Sequence, residues 1–461
     1  MLREIRPTLT LALPIMVGQV SQMLMGVLDS LMIGHAGTVP LAASSFGSNV
    51  FNVFYVLAIG FTVPVAIFVA RSRGAQQPRE AAEYLRHGLV LALAVGVVET
   101  VVMLALSTQL ARFGQPAEAL AIVKPFFLLT AFSLTPVLIY LALRQFAEAM
   151  GHPWAPMAIM LSSVGLNAAL NWVFIFGHLG APALGLTGAG IATLISRVVG
   201  AVGLFSWLRR DPAVRAAWPS FVPGRGTSEG GPSVNSRAGW MARLSASRFR
   251  EMLQVGLPAA GMLLFESTAF AFSSFMMGWL GAVPLAAHQI GITCASLAFM
   301  FPLGISMAAG MRVSHAVGAD ERGRLRPIAF GALGLGLAVM AWFALAFGFG
   351  GHAIAAWFVR DPAVIAVAAQ VLVVAALFQM VDGLQVIGAA VLRAIGDVKM
   401  PTLITFVAYW VLALPLGYVL GIRGSLGSVG VWIGIASGLA FAAVFLNVRF
   451  VRFTRPKAPV V

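Results

Sequence analysis

Four carboxylates stand where the surrounding sequence is apolar: Asp29 in M-G-V-L-D-S-L-M-I-G, Glu99 in V-G-V-V-E-T-V-V, Glu266 in L-L-F-E-S-T-A-F and Asp382 in F-Q-M-V-D-G-L-Q. An ionised carboxylate at the centre of a bilayer costs about 2.5–3.5 kcal/mol even on the lenient insertion scale, so each needs a reason. Acids held in such surroundings can bind and release a proton. Two ionised carboxylates facing each other can also attract a small hard cation such as Na+. Both readings make Glu266 and Asp382 a cation switch. Asn167 and Asn171, one turn apart in L-N-A-A-L-N-W, present two amides on one helix face and could hydrogen-bond Asp29. The plainer alternative is that these acids are protonated or paired packing elements. Glu99 stands alone and is open to either reading.

The elements that carry these residues follow from hydropathy. The chain has 461 residues, 59% hydrophobic and 10% charged, with a mean hydropathy of +0.91, whereas a water-soluble globule needs far more charge. Twelve apolar segments are each long enough to cross about 30 Å of hydrocarbon as a helix. They span 8–34, 45–70, 85–109, 122–145, 156–178, 186–208, 252–280, 285–311, 327–350, 363–391, 401–421 and 427–449. The fold class is therefore an all-α polytopic membrane protein.

A net charge of +14 would suit a nucleic-acid partner if the basic residues clustered, but they alternate between loops. With both termini in the cytoplasm, 25 of the 30 Lys and Arg residues face that side and four, Arg112, Lys124, Arg360 and Arg423, face out. The thirtieth, Arg197, lies within a helix, where it could snorkel to the cytoplasmic edge or pair with Glu148. Glu148 is also one turn from Arg144. Charge here reports topology, and no nucleic acid is expected. M-L-R-E-I-R-P opens a first helix too long for the h-region of a cleavable signal. Cys294 is the only cysteine, which excludes an intrachain disulfide or a cysteine metal cluster.

The two halves align at an offset of 244. G-T-V-P-L-A-A at 37–43 recurs as G-A-V-P-L-A-A at 281–287, and L-P at 13–14 recurs at 257–258. Six helices per half make two parallel repeats related by a pseudo-twofold axis along the membrane normal. The expected domains are an N-terminal six-helix lobe at 1–208, a cytoplasmic linker at 209–250 rich in Gly, Pro, Ser and Arg, and a C-terminal lobe at 251–461. The counterpart of Asp29 is Ser273 and that of Glu266 is Gln22, so the lobes share a scaffold but not their charges. Pro14 and Pro258 are expected to kink the first and seventh helices, and Gly430, Gly434 and Gly438 form a small-residue stripe for close helix contact.

At these residues the chain resembles the multidrug and toxic compound extrusion family, in its bacterial branch of sodium- or proton-driven efflux pumps. The resemblance covers essentially the whole chain. Its marks are Asp29 with Asn167, Asn171 and Thr193, Glu266 in helix seven, Asp382 in helix ten, and A-A-V-L-R-A-I-G-D-V-K-M-P at 389–401. It implies a secondary antiporter of the bacterial inner membrane that expels small organic cations by alternating access while H+ or Na+ enters, with no other cofactor and as a monomer. It places a cation site, H+ or Na+, at Glu266 and Asp382, a second site at Asp29 with the asparagines, and Gln289 along the drug cavity. Some sodium-coupled members carry a tyrosine one turn before the helix-ten aspartate, where this chain has Phe378, and a phenyl ring offers no oxygen to a cation. That departure favours the proton. An intramembrane enzyme is not expected, since no H-E-x-x-H and no G-x-S-x-G lies in these helices and no Walker loop is present. A lipid-linked precursor flippase uses a similar duplicated bundle but would favour a cationic interior, against the acidic one here.

Overall fold

The computed structural model describes residues 2–113, 117–215 and 244–455. Most of the expected linker, 216–243, lies outside the described residues. Among those described, twelve helices are long and apolar enough to cross a membrane. They are α1 (Leu2–Ala36), α2 (Thr38–Gly74), α3 (Pro78–Ser107), α4 (Leu120–Ala149), α5 (Trp154–Phe176), α6 (Leu186–Arg210), α7 (Ala246–Leu280), α8 (Ala282–Gly318), α9 (Arg322–Phe358), α10 (Pro362–Ala394), α11 (Lys399–Arg423) and α12 (Gly427–Phe453). Most run beyond the apolar segments, because a backbone that must satisfy its hydrogen bonds in hydrocarbon continues them into the polar flanks.

The repeat is visible in how each half is built. In the first, α4 packs against α2, α3 and α6; in the second, α10 packs against α8, α9 and α12, the corresponding helices. The first and second helices of each repeat are separated by a single glycine. Gly37 takes φ +136° and Gly281 φ +118°, and each amide donates to a carbonyl three residues back, at 3.2 Å in both cases. An L side chain is strained in that region, which is why the joint is glycine in both copies.

The chain divides into two compact units, one comprising Met1–Gly26 with Pro258–Val461 and the other Val27–Leu257. These units differ from lobes cut at 208 and 251. Residues 2–26 of α1 pack with the second repeat: Ala12, Ile15 and Met16 share a core with Ile305, Ala308 and Ile387. Gly304 approaches α1 so closely that an added Cβ would lie 2.4 Å from Met16 Cγ. The start of α7 packs with the first repeat, where Gly256 faces Pro64 and Phe61. Pro14 and Pro258 both sit inside uninterrupted helices.

Helix α11 departs from α-geometry. Val407–Ala413 and Val419–Arg423 are π-helical, with wider turns on either side of Leu414–Tyr418. The α12 glycines lie against this stretch, as the stripe predicts: a Cβ on Gly434 would fall 2.4 Å from Gly417 Cα, and one on Gly438 2.4 Å from Ala408 O. A π-turn lodges an extra residue and turns the following side chains, and such bulges concentrate at functional positions. Here the stretch presents Tyr409.

Candidate functional site

In the unit made by Val27–Leu257, α5 brings its two asparagines to α1. Asn171 Nδ2 donates to Asp29 Oδ1 at 2.5 Å and lies 3.3 Å from Asn167 Oδ1, while Asn167 Nδ2 reaches Thr193 Oγ1 at 3.5 Å. Both asparagines are fully buried and Asp29 is half-buried. The chain of amides gives an ionised Asp29 a donor at membrane depth, where an unpaired charge would be costly.

Arg197, one turn beyond Thr193 on α6, does not pair with Glu148. Glu148 is taken by Arg144 at 2.7 Å, with both side chains buried. Arg197 Nη1 instead donates to Ser133 Oγ at 2.5 Å, and its guanidinium lies 4.4 Å from the centre of the Phe51 ring. Ser133 sits at the break within α4, between Ala117–Phe132 and Leu134–Ala149, and its hydroxyl donates to Thr130 O at 2.7 Å. The arginine is therefore held inside the bundle by a hydroxyl and a ring face.

In the other unit, the electrostatic neighbours of Glu266 on α7 are Asp382 on α10, Tyr409 on α11 and Arg393 near the end of α10. Asp382 is 3% exposed and Glu266 is half-buried. The Tyr409 hydroxyl faces Glu266, and on α10, one turn either side of Asp382, both amide atoms of Gln379 and Gln385 Oε1 are buried with no hydrogen-bond partner, as is Thr405 Oγ1, one turn before Tyr409. Buried polar groups are normally satisfied, so such a concentration marks a place built for something other than packing. Arg393 Nη1 reaches Met262 Sδ at 3.5 Å, a weak acceptor one turn from Glu266.

Phe378 is buried in an aromatic cluster, 5.7 Å centre to centre from Trp432 and 6.1 Å from Phe270, which in turn lies 6.0 Å from Tyr409. Trp432 Nε1 donates to His288 Nδ1 at 3.1 Å, which leaves the His288 Nε2–H to face Ser274 Oγ at 3.1 Å. Phe378 is thus a wall behind Asp382. Gln289, next to His288, stays exposed on α8.

Tyr409, Gln379 and Thr405 were not singled out by the sequence. Tyr409 was the most findable, since the chain has only five tyrosines and this one interrupts the apolar run F-V-A-Y-W-V-L-A. It supplies from α11 the phenol oxygen that Phe378 lacks. Tyr409→Phe is expected to leave unfolding free energy within about 1.5 kcal/mol of wild type, the scale of one hydrogen bond, because only the hydroxyl facing Glu266 is lost and the ring stays in place. The same variant should shift the half-saturating ion concentration for transport about ten- to a hundredfold, or the half-saturating pH by about one to two units, since a hydroxyl bonded to a charged group contributes about 1.5–3 kcal/mol. An unchanged ion response would remove Tyr409 from the site.

Glu99 is buried on α3 with neither carboxylate oxygen partnered, and its electrostatic environment holds no charged neighbour. It stands apart from both clusters. Glu99→Gln should therefore preserve efflux and change unfolding free energy by less than about 1 kcal/mol, because an amide takes the volume of a neutral acid. A large loss of transport in that variant would assign Glu99 a role. Among the described residues, no group of three or more His, Cys, Asp or Glu could hold a metal ion.

The MatE family profile matches residues 14–173 and 258–419, one stretch in each repeat. The multidrug resistance protein NorM of Burkholderia vietnamiensis is 34% identical over 449 residues, covering 96% of this chain and 93% of its own length. A probable multidrug resistance protein NorM of Mesorhizobium japonicum is 32% identical over 464 residues, covering 99% of this chain and 96% of its own. A multidrug resistance MATE transporter of the MOP superfamily, solved in an outward-facing conformation, superposes with a TM-score of 0.86 at 22% identity, covering 98% of this chain and 96% of that one. A crystal structure of MATE in the bent conformation superposes with a TM-score of 0.85 at 21% identity, with the same coverage of 98% and 96%. Two matched repeats, near-complete coverage by relatives above 30% identity and a shared helical fold lead to one conclusion: this chain is a multi-pass membrane protein of the MatE family, a family of transporters and not of enzymes.

Proposed function

We propose that the chain is a secondary multidrug antiporter of the bacterial inner membrane, with both termini in the cytoplasm, which exports small organic cations as an ion enters. The relatives' names support the multidrug reading. The loop charge asymmetry supports the orientation. The observation that carries the mechanism is that Glu266 and Asp382 are electrostatic neighbours, with the Tyr409 hydroxyl facing Glu266 and the unpartnered Gln379 amide one turn from Asp382. Two acids whose charges interact bind one positive charge far more readily than none. Asp29 with Asn167, Asn171 and Thr193 forms a second acidic site for the exported cation or a proton.

Exchange follows if drug and ion favour different conformations, since a ligand shifts an equilibrium only by its differential affinity. One entering monovalent ion gains about 2.3 kcal/mol per 100 mV, but a monovalent drug cation leaving in exchange costs the same, so one-for-one exchange runs on the ion's concentration gradient. H+ is the first reading for that ion. Na+ is the second, because the Tyr409 hydroxyl and Gln379 carbonyl add hard oxygens to two carboxylates. Each acidic cluster is completed within one chain, which supports a monomer as the working form.

The test is transport of a fluorescent organic cation in proteoliposomes with pH and Na+ gradients imposed in turn. A pH gradient alone should drive accumulation. Drive by Na+ alone would make Na+ the coupling ion, and no response to either gradient would overturn antiport.

A further inference from the structure

The opening ends of α1 and α7 are seated at equivalent places in the two repeats, and the charges at those places are interchanged. Both helices have 35 residues and they start at Leu2 and Ala246, the same offset that aligns the halves. The turn into α3 recurs in the turn into α9. Gln76 takes φ +57° and Asp320 φ +54°, and the amides of Glu80 and Arg324 donate to carbonyls three residues back, Gln77 O at 3.1 Å and Glu321 O at 2.9 Å. Apolar contacts keep the register: Ala12 shares a core with Ile305, and at the equivalent positions Gly256 faces Phe61.

On this common frame Glu4 stands where Arg248 does, and Glu80 where Arg324 does. Glu4 Oε1 lies 3.3 Å from Arg324 Nε, and Arg248 Nη2 lies 3.7 Å from Glu80 Oε1. Each pair joins the first helix of one repeat to the third helix of the other, with acid and base exchanged. Arg312 reinforces the first pair by donating to Glu4 Oε2, to Glu4 O at 2.7 Å and to Thr8 Oγ1; its counterpart in the other repeat is Phe68. Tyr84 reinforces the second. Its ring centre lies 5.4 Å from the Arg248 guanidinium and its hydroxyl donates to Glu251 Oε2 at 3.0 Å, where the counterparts are Ile328 and Pro7.

Two copies of one scaffold pose a problem of choice, because each first helix is offered two seats of matching backbone. Attraction alone decides little, since an exposed ion pair contributes little. The exchange of sign decides more. On its own repeat Glu4 would face Glu80, and Arg248 would face Arg324 and Arg312, so the wrong seat sets like charges together. We propose that these interchanged charges are an address code, which seats the opening end of each repeat's first helix on the other repeat and turns it away from its own. The seat also fixes what α1 connects, for it runs from the unit that holds Glu266 and Asp382 into the one that holds Asp29.

The experiment uses the full chain with Cys294→Ala, spin-labelled at pairs of introduced cysteines, with distances measured in nanodiscs. Arg3→Cys with Gly323→Cys reads the seat of α1. Ser247→Cys with Arg79→Cys, at the equivalent positions, reads that of α7; all four residues are exposed. Each pair should give one short, narrow distance. Arg3→Cys with Arg79→Cys reads the wrong seat. Glu4→Arg with Arg248→Glu crosses the code without altering net charge. It should lose the short distance at both correct pairs, gain one at the wrong pair, and lower the yield of monodisperse protein at least about fivefold. Adding Glu80→Arg and Arg324→Glu should restore the yield and the α7 seat, and the α1 seat in part, because Arg312 remains.

Wild-type distances in the crossed variant would show that packing alone chooses the seat and would overturn the proposal. Loss of the correct distances without a gain at the wrong pair would also overturn it, since the charges would then be fasteners and not addresses. If the crossed variant yields no folded protein, the four-charge variant decides: recovered yield supports the code, and unrecovered yield defeats it.

Discussion

Glu266→Gln and Asp382→Asn are each expected to reduce ion-coupled efflux to background while the protein still reaches the membrane. An amide of the same shape fills the same space but cannot lose a proton or present an anionic oxygen to Na+. Each variant therefore forfeits the coupling to the ion gradient rather than a packing contact. Loss of driving force appears in accumulation of a fluorescent cation by energised cells, with expression followed by quantitative blotting. Drug binding at equilibrium should survive in at least one variant, because removing the ion site does not remove the drug's contacts. Efflux at the wild-type rate in either variant would dismiss the acidic pair as the coupling element.

The second large effect is expected at the other end of the chemistry, in Glu148. Its side chain and that of Arg144 are 2% and 4% exposed and are joined at 2.7 Å. Removing one member strands the other, and a buried unpaired charge costs about 3–5 kcal/mol. Glu148→Leu should show that loss in thermal or denaturant unfolding of the purified protein. Arg144→Met with Glu148→Leu should recover most of it, because the pair itself is imperfect: Arg144 Nη2 and Glu148 Oε2 have no partner. A single variant as stable as wild type would mean that water reaches the pair.

Much of the architecture could be read before any coordinates. Apolar length determined the number of helices, since a spanning backbone has few alternatives to a helix. The repeated G-x-V-P-L-A-A marked both glycine joints, because only a residue free at positive φ serves there. The link from Asp29 to Asn171 was anticipated because amides one turn apart share a face. Arg197 resisted the same logic. Spacing placed it within reach of a membrane edge, but its anchors, Phe51 and Ser133, come from helices distant in sequence. Tyr409 was hidden for a different reason: counting at 3.6 residues per turn misplaces a side chain within a π-helical stretch. Nor does hydropathy say which neighbours a helix chooses, so the packing of residues 2–26 with the second repeat had no signature in composition.

That packing bears on how the molecule is made. The ribosome delivers α1 to the membrane before the second repeat, yet Ala12, Ile15 and Met16 find their partners only after Ile305 and Ile387 have been synthesised. For most of translation the opening helix waits without its neighbours, exposed to lipid or sheltered by the insertion machinery. Assembly of the second repeat is then completed by a segment already in place, so a helix made before it is among the last to be locked.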